Sequence, residues 1–467
     1  MTSWRPNLTG RSGPRYLAIA DALEADIASG RAPLGARLPT HRDLAQHLGV
    51  TVGTITRAYT EAERRGLVSG EVGRGTFVRG SKVAPAPGDV PVMAPPPQSD
   101  TINFSFSSAA RSGVEEAVAE TLRTIAGRNT DALAELMEYV PIGGLARHRA
   151  AGADWLRRSG LSVPAEHVMV TSGCQSGMAL ATMAVTRPGD RIVTECLTYA
   201  GMKALSASLN LRLEGLAMDE HGLVPTAFDA ACRHGAPRAL YTVPTLHNPT
   251  TATQPLERRE EIADIARRYG VTIIEDDVFG FLHPDAPPPI AALAPDITIY
   301  LNSLSKSVAP GLRVGYLAAS PALMPRLDMV MRASFRMAPP LLAEVASLLI
   351  QDGRADRFAA WQREEAAARN VLLAEIMAGY AVTSHPNSHH AWLRLPEPWR
   401  REDFITAAAQ AGVAVTGADA FIVGRNAAPH AIRLSLCAPQ RREDVRRGLT
   451  ILADLLHMPA PQAASVI

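Results

Sequence analysis

Asn302-Ser303-Leu304-Ser305-Lys306-Ser307-Val308-Ala309-Pro310-Gly311-Leu312-Arg313 sets one lysine among serines, a Pro-Gly turn and an arginine. Lysine is scarce here: the 467 residues contain three, at 82, 203 and 306, beside 44 arginines. Arginine supplies charge and forked hydrogen bonds but keeps its proton, so it cannot attack a carbonyl. Lysine can lose its proton and form a Schiff base. An isolated lysine is by default a solvated surface residue. The flanking serines, the turn and Arg313 shift the reading of Lys306 towards chemistry.

Working outward from that stretch, short apolar runs alternate with helical patterns. His167-Val-Met-Val-Thr, Asp190-Arg-Ile-Val-Thr, Ala239-Leu-Tyr-Thr-Val, Val271-Thr-Ile-Ile-Glu, Ile297-Thr-Ile-Tyr-Leu and Arg313-Val-Gly-Tyr-Leu read as strands. Runs of this kind suit a mostly parallel sheet buried on both faces, hence an α/β domain. Polar residues cluster just past the strand ends, where open α/β sheets bind ligands. Their types match what pyridoxal 5'-phosphate requires. Lys306 offers the amine, and Asp276, at the end of an apolar strand, a carboxylate for the ring nitrogen. Gly173-Cys174-Gln175 opens a helix after a strand, a place where backbone N–H groups favour phosphate. Ser303, Ser305 and Arg313 add hydroxyl and guanidinium contacts; Asn248 suits the 3-hydroxyl and Tyr199 the ring face. Taken singly, each has a bland reading as a turn, a helix start or a solvated carboxylate. The set in this order is what carries weight.

The chain is too long for one core and is expected to hold two or more domains. Its formal net charge of +1 hides an asymmetry: residues 1–82 carry 12 Arg+Lys against 7 Asp+Glu, and the remainder 35 against 39. A small basic front unit on a mildly acidic body points to a polyanion partner for the front unit alone. The cysteines at 174, 196, 232 and 437 are scattered, with no C-x-x-C and no ligand-spaced histidines, so no metal site or disulfide is expected. The first residues show no export signal, and no apolar run reaches about 18 residues, so a cytoplasmic protein without a membrane span is expected.

In the front unit, Tyr16 to Ile27 has helical spacing, and Thr40 caps a helix with Leu44, Ala45 and Leu48 inward. Gly49-Val50-Thr51 makes a tight turn into a second helix through Ile55, Ala58, Tyr59 and Ala62. Helix, short turn, helix is a helix-turn-helix pattern, although spacing alone also allows an unrelated three-helix unit. Leu67-Val68-Ser69 and Thr76-Phe77-Val78 alternate like the strands of a β-wing. Val83 to Gln98 then holds six prolines, a stretch that favours extended polyproline II and could span about 50 Å at about 3.1 Å per residue. The expected division is a reader at 1–82, a linker at 83–102 and an effector domain at 103–467.

Residues 15–79 resemble the winged helix-turn-helix domain of the GntR family of bacterial repressors. The resemblance rests on Leu34-Gly-Ala-Arg37-Leu-Pro-Thr40, Arg42-Asp43-Leu44-Ala45, Gly66-Leu67-Val68 and Gly73-Arg74-Gly75-Thr76-Phe77-Val78. It implies double-stranded operator DNA as partner, with Thr51, Val52, Gly53 and Thr54 near base edges, Arg42 and Arg57 on phosphates, Thr40 among the contacting residues, and Arg74 at the wing. Many relatives carry an arginine where this chain has Val52-Gly53, so a guanine-reading fork is missing.

Residues 103–457 resemble fold-type I aminotransferases, through Asn248-Pro249, Asp276, Ser303-x-Ser305-Lys306 and Arg313. That resemblance implies a mostly parallel sheet with a small α+β C-terminal subdomain. It also implies an effector or substrate carboxylate on Arg433, and Tyr139 reaching the phosphate of a neighbouring subunit in a homodimer. Such enzymes usually place a tyrosine two or three residues after the ring-nitrogen aspartate, where this chain has Val278 and Phe279. The whole architecture resembles the MocR subfamily of regulators. It implies sensing of a small amino compound, or of the vitamer itself, through an aldimine at Lys306. The competing expectation is a working aminotransferase with an appended DNA-binding domain.

Overall fold

The computed structural model describes residues 4–8, 14–29, 31–32, 36–64, 67–71, 75–78, 100–127, 130–424 and 428–458. The chain divides into two compact units, Met1–Asp89 and Val90–Ile467. Arg74 and the proline-rich stretch at 83–98 lie outside the described residues.

In the first unit, α1 (Arg15–Ala28), α2 (His41–Leu48) and α3 (Val52–Arg64) bury Ile19, Leu23, Leu44, Ile55, Ala58 and Tyr59 in one core. Thr40 is extended and caps α2: its hydroxyl accepts from the Asp43 amide at 3.2 Å and donates to the Asp43 carboxylate at 2.7 Å. Thr51 does the same for α3, accepting from the Thr54 amide at 3.2 Å. The strands β1 (Val68–Glu71) and β2 (Gly75–Val78) pair antiparallel, Val68 opposite Val78. The chain before α2 lies along β2: the Leu38 amide donates to the Thr76 carbonyl and the Val78 amide to the Ala36 carbonyl, both at 2.8 Å. This is the expected winged helix-turn-helix.

In the second unit, β3 (Ile102–Asn103) precedes β4 (Val168–Thr171), β5 (Arg191–Glu195) and β6 (Arg212–Leu216). A short hairpin, β7 (Met218–Asp219) and β8 (Gly222–Leu223), leads to β9 (Ala239–Thr242), β10 (Thr272–Asp276), β11 (Thr298–Ser303) and β12 (Gly315–Ala318). Seven of these form one sheet in the order β4-β12-β11-β10-β9-β5-β6. All neighbours are parallel except β12, which runs against β11 and β4. Ile273, Ile274, Ile299 and Leu301 are fully buried, as strands covered on both faces require. Six of the seven follow the apolar runs. The missed one is the edge strand β6, whose Arg-Leu-Glu-Gly-Leu mixes charge and glycine.

Beyond the sheet, β13 (Val382–Thr383), β14 (His390–Arg394), β15 (Val413–Ala414), β16 (Thr416–Gly417) and β17 (Ala431–Ser435) build the C-terminal part. Four of them make an antiparallel sheet in the order β13-β14-β17-β16. It shares a core with Phe104, Phe404, Leu449 and Leu452. The start of the domain is stitched into this part. β3 pairs with β15, the Phe104 amide donates to Ala414, and the Ser435 amide donates to Phe104, the last two at 2.8 Å.

The helix Ala146–Arg157 packs so closely on β12 that a Cβ on Gly152 would lie 2.5 Å from the buried Tyr316 ring. Gly152→Ala should therefore destabilise the second unit by about 1–3 kcal/mol through overpacking, outweighing the roughly 1 kcal/mol gained in helix propensity. Chemical denaturation of wild type and variant, followed by circular dichroism, checks this.

Candidate functional site

The antiparallel β12 gathers the expected residues. Its first residue, Gly315, pairs with Ser303, the last of β11, and with Thr171, the last of β4. A Cβ on Gly315 would sit 2.8 Å from the Gly173 carbonyl carbon, so the backbones touch. The turn carrying Lys306 and Arg313 thereby meets the helix start at Cys174. Arg313 adopts a left-handed backbone (φ 50°) and donates to the Ser172 carbonyl at 2.9 Å. Gly173 (φ 87°) lies against that guanidinium: a Cβ there would be 2.9 Å from Arg313 Nη2. Glycine meets both demands at once.

Asp276 ends β10 beside this helix start and is buried. Tyr241 donates to one carboxylate oxygen at 2.8 Å; the Cys174 thiol and the Val278 amide, each at 3.3 Å, donate to the other. Burial raises the carboxyl pKa, opposed by those donors and by the charge of Lys306. The Cys174 thiol is pushed up by burial and by Asp276, so it stays protonated as a donor. Lys306 donates to the Ser107 carbonyl. Burial, then the charge of Arg433, pull its pKa down to about 8, with Asp276 pulling the other way. An amine near that value is still mostly protonated at physiological pH, but its neutral fraction, the form that attacks carbonyls, is far larger than that of an ordinary lysine.

Arg433, on β17, is buried under the small domain and donates to Asn248 Oδ1 at 3.0 Å and to the Ser105 carbonyl at 2.5 Å. Its guanidinium stands 4.9 Å from the Phe421 ring centroid. Among the described residues no carboxylate pairs with it, and its Nε is buried without a partner. Burial lowers its pKa to about 10, which leaves it cationic at neutral pH. Tyr199 donates to Gln175 at 3.1 Å, and burial, then the charge of Asp276, push its pKa up to about 12 against the opposing charges of Arg433 and Arg313. Ser303 is buried with its hydroxyl unpartnered, and Ser305 is partly exposed.

Tyr139 stands apart from this cluster within one chain. It is 75% exposed, with Arg336 stacked 4.9 Å over its ring. Phe279 is buried with Leu246 and Leu282, and its ring meets His390 at 5.3 Å and His389 at 6.2 Å. Sequence reasoning missed Tyr241, Ser105, Ser107 and the two histidines. Tyr241 is an inward residue of a strand already recognised, one strand from Asp276, and parallel register would have found it. The serines could not be found without the pairing of β3 with β15.

On the first unit, Thr40, Arg42, Thr51, Val52 and Gly53 are exposed and Thr54 partly so. Arg57 lies over the Tyr16 ring at 4.4 Å.

The profile of bacterial regulatory proteins of the gntR family matches residues 15–78, and that of aminotransferases of class I and II residues 102–452. The HTH-type transcriptional regulator YdeF of Bacillus subtilis (strain 168), itself uncharacterized, is 30% identical over 454 residues, covering 97% of each chain. The HTH-type transcriptional regulator TauR of Rhodobacter capsulatus is 28% identical over 392 residues, 75% of this chain and 77% of its own. Among solved structures, an archaeal alanine:glyoxylate aminotransferase superposes with a TM-score of 0.70 at 22% identity, over 77% of this chain and 91% of its own. That likeness is one of fold.

Competitive acylation of the cofactor-free protein, read by mass spectrometry, should show Lys306 reacting with a midpoint near pH 8. Arg433→Leu removes a positive charge beside the amine, so the midpoint should move up. An unchanged midpoint would remove Arg433 from the causes of the shift.

Proposed function

Because this chain belongs to the MocR subfamily of GntR-type regulators, which join a gntR-family reader to an aminotransferase class I and II domain, we propose that it regulates transcription by sensing a small amino compound, or the vitamer itself, at a pyridoxal 5'-phosphate site. The observation that carries this reading is the presence in one chain of a winged helix-turn-helix unit and of a lysine of lowered pKa within the field of a buried aspartate.

The residues present fit the cofactor. Lys306 supplies an amine of lowered pKa, and the buried Asp276 an acceptor for a ring N–H. The first amides of the helix from Cys174, free of intrahelical partners as in any helix, would meet the phosphate with Ser303, Ser305 and Arg313. The unpartnered Ser303 hydroxyl and Arg433 Nε are the kind of buried polar atoms a ligand satisfies. Gly173, Cys174 and Gln175 would form the phosphate cup, Asn248 would serve the 3-oxygen through its amide, and Tyr199 would cover the ring. When bound, the cofactor supplies an aldehyde on which an amino compound can be captured in place of a lysine.

The chain's own residues then do three things. Asp276, held in place by Tyr241 and Cys174, would accept a hydrogen bond from a protonated ring nitrogen. Lys306 would hold the cofactor's aldehyde, and its amine, with a lowered pKa, is the group placed to hold or release a proton beside it. Arg433, anchored by Asn248 and Ser105, orients the carboxylate of the amino compound. Ser105 and Ser107 come from the segment that β3 pins to the C-terminal part, so occupancy of Arg433 and Lys306 is felt along that segment. An effector shifts DNA binding only by preferring one of two arrangements.

The aromatic at 279 supports sensing over turnover: Phe279 has no hydroxyl to offer and is packed into an apolar cluster. Homodimerisation is part of the proposal, with the exposed Tyr139 and Met137 meeting the partner, as suits an operator with two half-sites. Among the described residues no helix is long and apolar enough to cross a membrane, and the proposed place of action is the cytoplasm, with the DNA.

The purified chain should carry a visible absorption band that survives gel filtration and is absent in Lys306→Ala. It should retard the DNA upstream of its own gene in an effector-dependent way. Arg433→Leu should keep the band but weaken the effector response by about 30-fold or more, since losing one partner of a buried charged pair costs about 2–5 kcal/mol. A colourless wild type that cannot be reconstituted, or steady conversion of an amino acid to its keto acid without any DNA response, would overturn the reading.

A further inference from the structure

The exposed face of α3 differs chemically from a guanine-reading surface, and the difference is built from several independent details. Position 52 is a valine with 46% of its surface exposed, although the core of this unit has room for apolar residues elsewhere and buries Ile55 completely. The neighbouring threonines are committed to the helix itself. The Thr51 hydroxyl accepts from the Thr54 amide at 3.2 Å and shares a hydrogen bond with the Thr54 hydroxyl at 2.9 Å, while the Thr56 hydroxyl donates to the Val52 carbonyl at 3.1 Å. From Thr51 to Arg57 the only charged side chain is Arg57, and its guanidinium rests on the Tyr16 ring. No forked donor is offered to a base edge across the first turn of α3.

Gly53 adds a second observation. Glycine lowers helix stability relative to alanine, so its use inside a helix calls for a reason. Internal packing does not give one: a Cβ placed on Gly53 would have Thr51 Oγ1 as its nearest neighbour, at an ordinary 3.8 Å. The residue is exposed and the backbone is regular, so the missing side chain clears space on the outside of the helix. Beside it, Val52 offers two methyl groups.

We propose that Val52 and Gly53 read operator DNA by close apolar contact with thymine: Gly53 lets the α3 backbone approach the floor of the major groove, and Val52 packs on a thymine 5-methyl group. This rests on the regulator reading above. Thymine alone among the bases presents a methyl group in the major groove, so a valine there is selective without any hydrogen bond.

The test uses the full-length protein. Sequences are selected from a random duplex pool, and the selected thymines are then replaced one at a time by deoxyuridine, which removes only the 5-methyl group. Selection should return symmetric half-sites with thymine at the position facing Val52. Deoxyuridine there should weaken binding about fourfold, the value of one buried methyl group. Val52→Ala should bind more weakly and lose sensitivity to deoxyuridine at that position. Gly53→Ala should melt at a higher temperature than wild type while binding the selected DNA about tenfold or more weakly, because the added methyl obstructs the approach. The rise in melting temperature separates that loss from misfolding. Selection of guanine at this position, or binding indifferent to deoxyuridine throughout, overturns the thymine reading and leaves the regulator standing. Failure to select any sequence overturns both.

Discussion

Strand β12 runs against both of its neighbours, and at its first residue it is hydrogen-bonded between the last residues of β11 and β4. In a wholly parallel sheet the loop following β11 would lead away into a crossover. Here the connection over residues 304–314 returns directly to the sheet at Gly315, so the turn holding Lys306 and Arg313 is pressed against the start of the helix after β4. That contact is backbone on backbone, which leaves no side-chain freedom for adjustment. The neighbouring β10 is parallel to β11 and brings Asp276 opposite Leu301, two residues before Ser303. Amine and guanidinium from the turn after β11, carboxylate from the end of β10 and free helix amides from the start at Cys174 thus come from three segments distant in the chain, held together by strand register.

Such a gathering sets an electrostatic problem. Lys306 and Arg433 bring positive charge into a confined space, with the exposed Arg313 at its edge, where Asp276 is the nearby carboxylate. Without a further anion the cheapest relief is for the lysine to release its proton, and burial with Arg433 pushes it that way. A phosphate and a carboxylate would restore balance, so the same charges that lower the pKa of the amine would favour anionic groups on a ligand. The Asn248 and Ser105 contacts orient Arg433 but bring no negative charge. Its positive charge is therefore left for a ligand to meet.

How much of this could be read in the chain differs by scale. The strands at 168–171, 272–276 and 298–303 announce themselves because a sheet covered on both faces must be written in apolar residues. Thr40 and Thr51 mark helix starts because a free amide needs an acceptor, and threonine supplies one locally. Lys306 stands out because the chain has so few lysines and because serines, a Pro-Gly turn and Arg313 surround this one. Contacts that depend on long-range register were not legible. Ser105 and Ser107 look like ordinary polar residues after a linker, and only the pairing of β3 with β15 delivers them to the arginine and the lysine. The thiol of Cys174 reads as incidental until β10 is set beside its helix and Asp276 appears at 3.3 Å.

The substitution at 279 ties the two units together in purpose. A tyrosine hydroxyl near the cofactor's 3-oxygen would help tune proton transfers during turnover, and pKa matching of that kind is what rapid acid–base catalysis needs. Phe279 is instead closed in by Leu246, Leu282 and two histidines held neutral, His390 pushed down to about 3 and His389 well below its ordinary range by burial. Neutral, buried imidazoles are poor proton relays near neutrality. On the sensing reading proposed above, a site that captures an amine without that hydroxyl, and with only neutral imidazoles behind Phe279, would favour a long-lived complex. For an enzyme that would be a defect. For a protein whose first unit has to register whether the second is occupied, a complex that persists is the useful state.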